Sequence, residues 1–286
     1  MVKGPPTLRA RVIDCRQDAV RAVRYNVDGN YCLTCGSDKS IKLWNPIKGT
    51  LLKTYTGTVH NRLYDCLNTT LNCMVCSNGR DGDCMSSGAV YPISFKRCDD
   101  ENVGEIDQPW NETKSFIFFK IFNEATDSVL SVDINGGEIV AGSADGNYRL
   151  YNIREGKLHI DFMGENVNCV HFTPDANCVL ASVQDGNIRL MDKSSGKMLA
   201  SYVGHKNSEY KVDSCVLASI EEIASGSEDG FVYIWSLLDS NVVAKLEHPS
   251  KIVHSLSAHP KKKHLLTAAG QLVYLWVTKD DEDFEC

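Results

Sequence analysis

His205, Ser227 and Asp229 are the three side-chain types that build a nucleophile relay, in which imidazole takes a hydroxyl proton and a carboxylate orients the imidazole. Ser225 is an alternative hydroxyl, and Trp235 follows the trio. Cysteine offers a second chemistry. Cys73 and Cys76 have Cys-x-x-Cys spacing, with Cys66, Cys84 and Cys98 nearby, which is raw material for a zinc site. Against zinc, a second Cys-x-x-Cys knuckle is missing, and Cys66 and Cys76 fall where strand alternation places small apolar residues. Cys32 and Cys35 stand three apart on a strand, point to opposite faces and read as core. With no nucleotide-binding loop and no paired carboxylates, the reading is a protein without catalytic residue, metal, cofactor or small-molecule substrate.

The elements that position these residues form a repeat. AVRAVRYNVDGNYCLTCGSDKSIKLWN (19–45) and NVNCVHFTPDANCVLASVQDGNIRLMD (166–192) align without a gap. Three further copies begin near Ser128, Lys211 and Ile252. Each copy reads as three short strands. The first alternates apolar and polar residues, as in Val20, Ala22, Val23 and Tyr25, and the second ends in small residues. A tight turn containing Asp38, Asp145, Asp185 or Asp229 leads to a third strand ending in Trp44, Tyr151, Met191, Trp235 or Trp276. A fourth strand follows, for example 51–55, 158–162, 198–202 and 242–246. Asp145 to Asp185 is 40 residues and Asp185 to Asp229 is 44, the period of a four-stranded propeller blade.

The pair Gly204-His205, the turn residue Asp229 and Trp235 match the GH…D…W pattern, and on these residues the chain resembles the WD-repeat family. The resemblance implies an all-β propeller, seven-bladed in the family, and a structural role for His205, Ser227, Asp229 and Trp235: a hydrogen-bonded chain tying strands together instead of a relay. It also implies that the strand at 8–15 completes the last blade. The expected propeller spans 8–277, with repeats at about 15–55, 58–81 (degenerate), 123–162, 165–202, 204–246 and 248–277.

Five of these repeats are clear. Asp38 to Asp145 is 107 residues, neither two nor three clean periods. Asp81 is on period, but 82–121 reads as irregular and stands in place of blades two and three. A loop insertion beside a lost blade, an alternative transcript and a sequence artefact all fit that stretch. Residues 278–286 form an acidic tail.

The 286 residues carry 30 basic and 37 acidic side chains, a net charge of −7, and 43% are hydrophobic. Wholesale disorder is excluded, and the mildly acidic chain has no basic stripe for direct nucleic-acid binding. No apolar run reaches the roughly 20 residues of a membrane helix. The start at Met1 leads into no apolar signal segment, so the 12 cysteines are expected to be mostly free and buried. What the resemblance of the repeats adds is a non-enzymatic scaffold, cytoplasmic and nuclear. Its partners would be proteins of the extracellular-signal-regulated kinase cascade and splicing factors of the spliceosome. Tyr151-Asn152-Ile153-Arg154 is similar to a Trp-Asp-x-Arg box, which makes a substrate receptor of a cullin-type ubiquitin ligase the alternative.

Overall fold

Apolar-polar alternation over five or six positions, interrupted by Asn, Asp and Gly turns, produces strands, and no helix occurs among the described residues. The structure is a computed structural model and describes residues 4–55, 73–77, 93–97, 121–122, 124–218, 221–250, 252–279 and 281. Five antiparallel four-stranded sheets result, the blades of a β-propeller. The first runs Val20–Tyr25, Cys32–Gly36, Ile41–Asn45, Thr50–Tyr55. The second is Val129–Asn135, Glu138–Ser143, Asn147–Asn152, Lys157–Phe162, and the third Val167–Phe172, Cys178–Val183, Asn187–Asp192, Met198–Tyr202. The fourth is Ser214–Val216, Glu222–Ser225, Phe231–Ser236, Val242–Glu247. The fifth has Val253–Ala258, Leu265–Ala269 and Leu272–Val277, and takes its outer strand from Leu8–Asp14 at the other end of the chain.

That outer strand pairs antiparallel with Leu272–Val277, from Leu8 opposite Val277 to Asp14 opposite Leu272. Ile13 and Cys15 are buried in one cluster with Val273, Leu275 and Val277 of the fifth blade and Val20, Val23 and Trp44 of the first. The segment thus belongs to one sheet and packs against the next.

The first strands of the blades pack side by side. Their edge amides need acceptors, and two junctions meet the need in the same way. Val23 and Tyr25 donate their amides to Ser255 Oγ (3.2 Å) and Ser257 Oγ (3.1 Å). Val170 and Phe172 donate theirs to Ser131 Oγ (3.1 Å) and Asp133 Oδ2 (2.8 Å). An acceptor at every second residue of one inner strand therefore satisfies the exposed amides of its neighbour. Glycine sets how closely blades approach. A Cβ on Gly226 of the fourth blade would lie 2.3 Å from the Val253 carbonyl oxygen of the fifth.

Within 58–122 the structure describes a three-stranded sheet of Cys73–Ser77, Ile93–Arg97 and Ile121–Phe122. Ile93–Arg97 lies inside the stretch read from sequence as irregular, and it pairs with Cys73–Ser77 from Ile93 opposite Ser77 to Arg97 opposite Cys73. Ile-Ser-Phe-Lys-Arg alternates as a strand should, but no Asp turn or terminal Trp marks it as one within the irregular stretch 82–121. Asp81, Cys66, Cys84, Cys98 and the tail after Asp281 lie outside the described residues.

Because Gly226 is the contact point of two blades, Gly226→Ala should cost about 2 kcal/mol in unfolding free energy. Gly4→Ala, with no atom within 4 Å of the added carbon, should leave stability unchanged. Denaturant melts of both variants check this, and equal midpoints would refute the close-approach account.

Candidate functional site

The second turn of four blades carries the aspartate expected from the repeat, and each does the same local work. Its carboxylate accepts the amide two residues on: Ser40 for Asp38 (2.9 Å), Asn147 for Asp145 (3.1 Å), Asn187 for Asp185 (2.9 Å) and Phe231 for Asp229 (3.1 Å). Such a bond closes a tight turn by borrowing a side-chain acceptor. Four residues on, across the turn, stands a second donor. Arg149 pairs with Asp145 at 2.7 Å, Arg189 pairs with Asp185, and Tyr233 donates its hydroxyl to Asp229 at 2.7 Å. In the first blade that residue is Lys42, which donates instead to the carbonyls of Cys15 (2.7 Å) and Arg16 (3.0 Å).

These groups also fix the loop that enters each blade. Arg189 donates to the Met163 carbonyl (2.6 Å), and Thr126 donates its amide to Asp145 (2.9 Å). The Asp145–Arg149 pair is buried. Burial alone would raise the Asp145 pKa, but hydrogen bonds from Arg149 and Ser143 outweigh it and hold the carboxyl well below its ordinary range. In the fourth blade the entering loop is tied by Glu228, whose carboxylate accepts the amides of Ser208 (2.8 Å), Glu209 (2.6 Å) and Tyr210 (2.9 Å) and the Ser208 hydroxyl (3.0 Å). Burial again opposes ionisation, and the donated hydrogen bonds win, bringing Glu228 to about 2. One end of the propeller is thus a rim of clamped loops. Phe162 and Val203 project from it at the ends of two outer strands, Phe162 being 72% exposed.

The strand-tying hydrogen-bond chain is found in other blades than the one expected. In the fifth, His248 donates from Nδ1 to the Leu246 carbonyl (3.1 Å), because a carbonyl can only accept. Its Nε2 is then the acceptor for the Thr267 hydroxyl (2.7 Å), and Thr267 Oγ1 receives the Trp276 indole N–H (2.9 Å). In the first blade the chain runs from the Trp44 indole to Thr34 Oγ1 (2.9 Å) and from the Thr34 hydroxyl to Gln17 Oε1. It continues from Gln17 Nε2 to Ser40 (3.0 Å to Oγ) and from Ser40 Oγ to Asp38 Oδ2 (2.7 Å). Gln17 stands there in place of a histidine.

His205, Ser227, Asp229 and Trp235 are brought close together but do not form that chain. The Trp235 indole donates to the Val203 carbonyl (3.0 Å), and Ser227 Oγ accepts the Lys206 amide (2.9 Å). The Asp229 carboxylate takes the Tyr233 hydroxyl, and Ser225 Oγ turns to the backbone carbonyls of Gly226 (3.0 Å) and Asp213 (3.3 Å). His205 is buried edge-on to Trp235, ring centres 5.5 Å apart, with neither ring nitrogen hydrogen-bonded. Tyr233 explains the difference: it stacks on Trp235 at 5.8 Å and occupies Asp229. Nothing in this geometry activates a serine.

Sequence reasoning missed His248-Thr267-Trp276 and Gln17-Thr34-Trp44. The usable signal was spacing: Thr34 and Thr267 stand 10 and 9 residues before their tryptophans. Cys32 and Cys35 are buried as expected, and Tyr151 is buried against Phe122 (4.3 Å) with Arg154 exposed beyond it.

Blades of this form, with clamped Asp turns and hydroxyl-indole ties, define a WD-repeat propeller. The family model described as WD domain, G-beta repeat matches residues 9–45, 156–192 and 196–236. The chain is 39% identical to WD repeat domain-containing protein 83 of Rattus norvegicus and 41% identical to that of Homo sapiens, in each case over 95% of this chain and 92% of the relative. The Dictyostelium discoideum homolog is 28% identical over 91% of the chain and 94% of the relative. The chain therefore belongs to the WD-repeat family, and these relationships support a protein-interaction scaffold.

Burial pushes His205, His248 and His259 down to about 4. The unfolded chain binds more protons than the fold below about 6.5, so the stability these groups confer is full above that value and is lost as pH falls toward 4. Glu228, depressed to about 2, adds stability that is lost below about 4.5. Thermal melts should show midpoints falling steadily from pH 7 to 4, and His248→Gln should flatten that slope. A pH-independent midpoint over this range would contradict the assignment.

Proposed function

We propose that this scaffold is non-enzymatic and collects components of the extracellular-signal-regulated kinase cascade, with a second role as a spliceosome component in pre-mRNA splicing, in cytoplasm and nucleus. The observation that carries the reading is the clamped rim. The turn aspartates, Arg149, Arg189, Tyr233 and Glu228 are spent on internal bonds, which leaves a rigid set of loops to present side chains to proteins. Near-full-length similarity to the WD repeat domain-containing protein 83 relatives supports a protein-interaction scaffold, and the partners are those that the resemblance of the repeats implies.

A cullin-ligase substrate receptor is the second reading, favoured by the exposed Arg154 at the third-strand turn of the second blade. Affinity capture of the tagged full chain separates the two. Kinases of the cascade and splicing factors should be recovered, unchanged by Arg154→Ala. Recovery of the cullin adaptor that disappears in Arg154→Ala would replace the scaffold reading.

A further inference from the structure

The first hairpin of the second blade turns on two residues, Gly136 and Gly137, between Asn135 at the end of one strand and Glu138 at the start of the next. Both glycines have positive φ, 58° and 96°, a backbone that residues with side chains rarely adopt. Asn135 is therefore followed by an amide nitrogen with no side chain beside it. Gly136 is exposed, and no atom lies within 4 Å of where a Cβ would stand. Asn135 is half-buried. With Asp133, Phe172 and Thr173 it lines a solvent-open cavity of about 290 Å³ at the junction of the second and third blades. No described residue holds its side chain by a hydrogen bond. Asparagines at three other turns differ. Asn26 Oδ1 accepts the Tyr31 amide (3.0 Å), Asn152 Oδ1 accepts the Glu155 amide (3.0 Å), and Asn177 Nδ2 donates to Asp175 (2.8 Å).

We propose that Asn135–Gly136 is a modification site, at which the folded chain deamidates through a succinimide to isoaspartate. The Gly136 backbone nitrogen gives its proton to hydroxide and attacks Asn135 Cγ. The new N–Cγ bond forms, the bond from Cγ to the side-chain nitrogen breaks, and that nitrogen takes a proton from water and leaves as ammonia. Water then opens the ring. Breaking the bond between Gly136 N and the Asn135 main-chain carbonyl carbon leaves the chain running through Cγ, as isoaspartate, and breaking the N–Cγ bond gives aspartate. Nucleophile and carbonyl stand on adjacent residues, so the first step is intramolecular. It requires the Asn135–Gly136 peptide plane to turn. That motion opens only the last pair of the ladder, Glu138 opposite Asn135, and Gly136 can follow because it has no Cβ. Either product puts a new carboxylate on the strand face that carries Asp133. Isoaspartate also adds a main-chain methylene beside a two-residue turn. Glu138, tied to Lys193 of the third blade at 2.6 Å, would be displaced, so the modification loosens the junction of the two blades.

The test incubates the folded full chain in buffer for several weeks and follows each asparagine by peptide mass spectrometry, with fragmentation that separates isoaspartate from aspartate. Asn135 should convert at least tenfold faster than Asn26, Asn152 or Asn177, with isoaspartate the larger product and a rate that climbs from pH 6.5 to 8.5. Gly136→Ala, which sets a side chain beside the attacking nitrogen, should slow Asn135 at least fivefold and leave the other three unchanged. Conversion of Asn135 no faster than theirs, or to aspartate without isoaspartate, would overturn the proposal. Should Gly136→Ala not fold, the unaltered chain decides, and an Asn135 rate independent of pH over that range refutes the succinimide route.

Discussion

Closure of the fifth blade by the chain's own first strand is the constraint on which the rest of the propeller depends. A sheet edge left open exposes a row of unpaired amides and carbonyls. Leu8–Asp14 covers the edge of Leu272–Val277, and through Ile13 and Cys15 it joins the apolar cluster of the first blade. The two ends of the described chain are thereby fastened in one sheet, and the Val23 and Tyr25 amides find Ser255 and Ser257 across the same seam. Lys42 reinforces the seam from the first blade by holding the carbonyls of Cys15 and Arg16 where the closing strand ends.

From that seam the architecture repeats outward. Each blade must satisfy the edge of its inner strand, tie its third strand to its second, and fix the loop by which the chain arrives. The means vary while the result does not. Thr267 with His248 and Thr34 with Gln17 hold indoles, whereas Trp235 reaches the Val203 carbonyl directly. Arg149, Arg189 and Tyr233 all serve the turn aspartates. A rim whose polar groups are consumed internally suits protein docking better than chemistry.

The strands, the turn aspartates and the closing segment were readable in the sequence because they depend on local alternation and on spacing within one repeat. His205 shows where that stops. Its neighbours have the right types and spacing, yet a tyrosine four residues after Asp229 takes the carboxylate and redirects the indole. Gln17 matches no histidine of the pattern, yet its amide has both donor and acceptor and does the work of an imidazole. Asp133 stands 38 residues before His171, and only the seating of one blade on the next joins them. Lys263, in the turn between the first two strands of the fifth blade, likewise reaches back a blade, with its Nζ 3.3 Å from Glu221.

Native-state hydrogen exchange tests closure most directly. If the first strand locks the ring, the amides of Leu8–Asp14 that face Leu272–Val277 should exchange only with global unfolding. They should then share the protection of Val20–Tyr25 and Leu265–Ala269 and respond to denaturant with the same slope. Rapid exchange of Leu8–Asp14 while the five blades remain protected would show that the propeller does not depend on that strand, and would contradict the account.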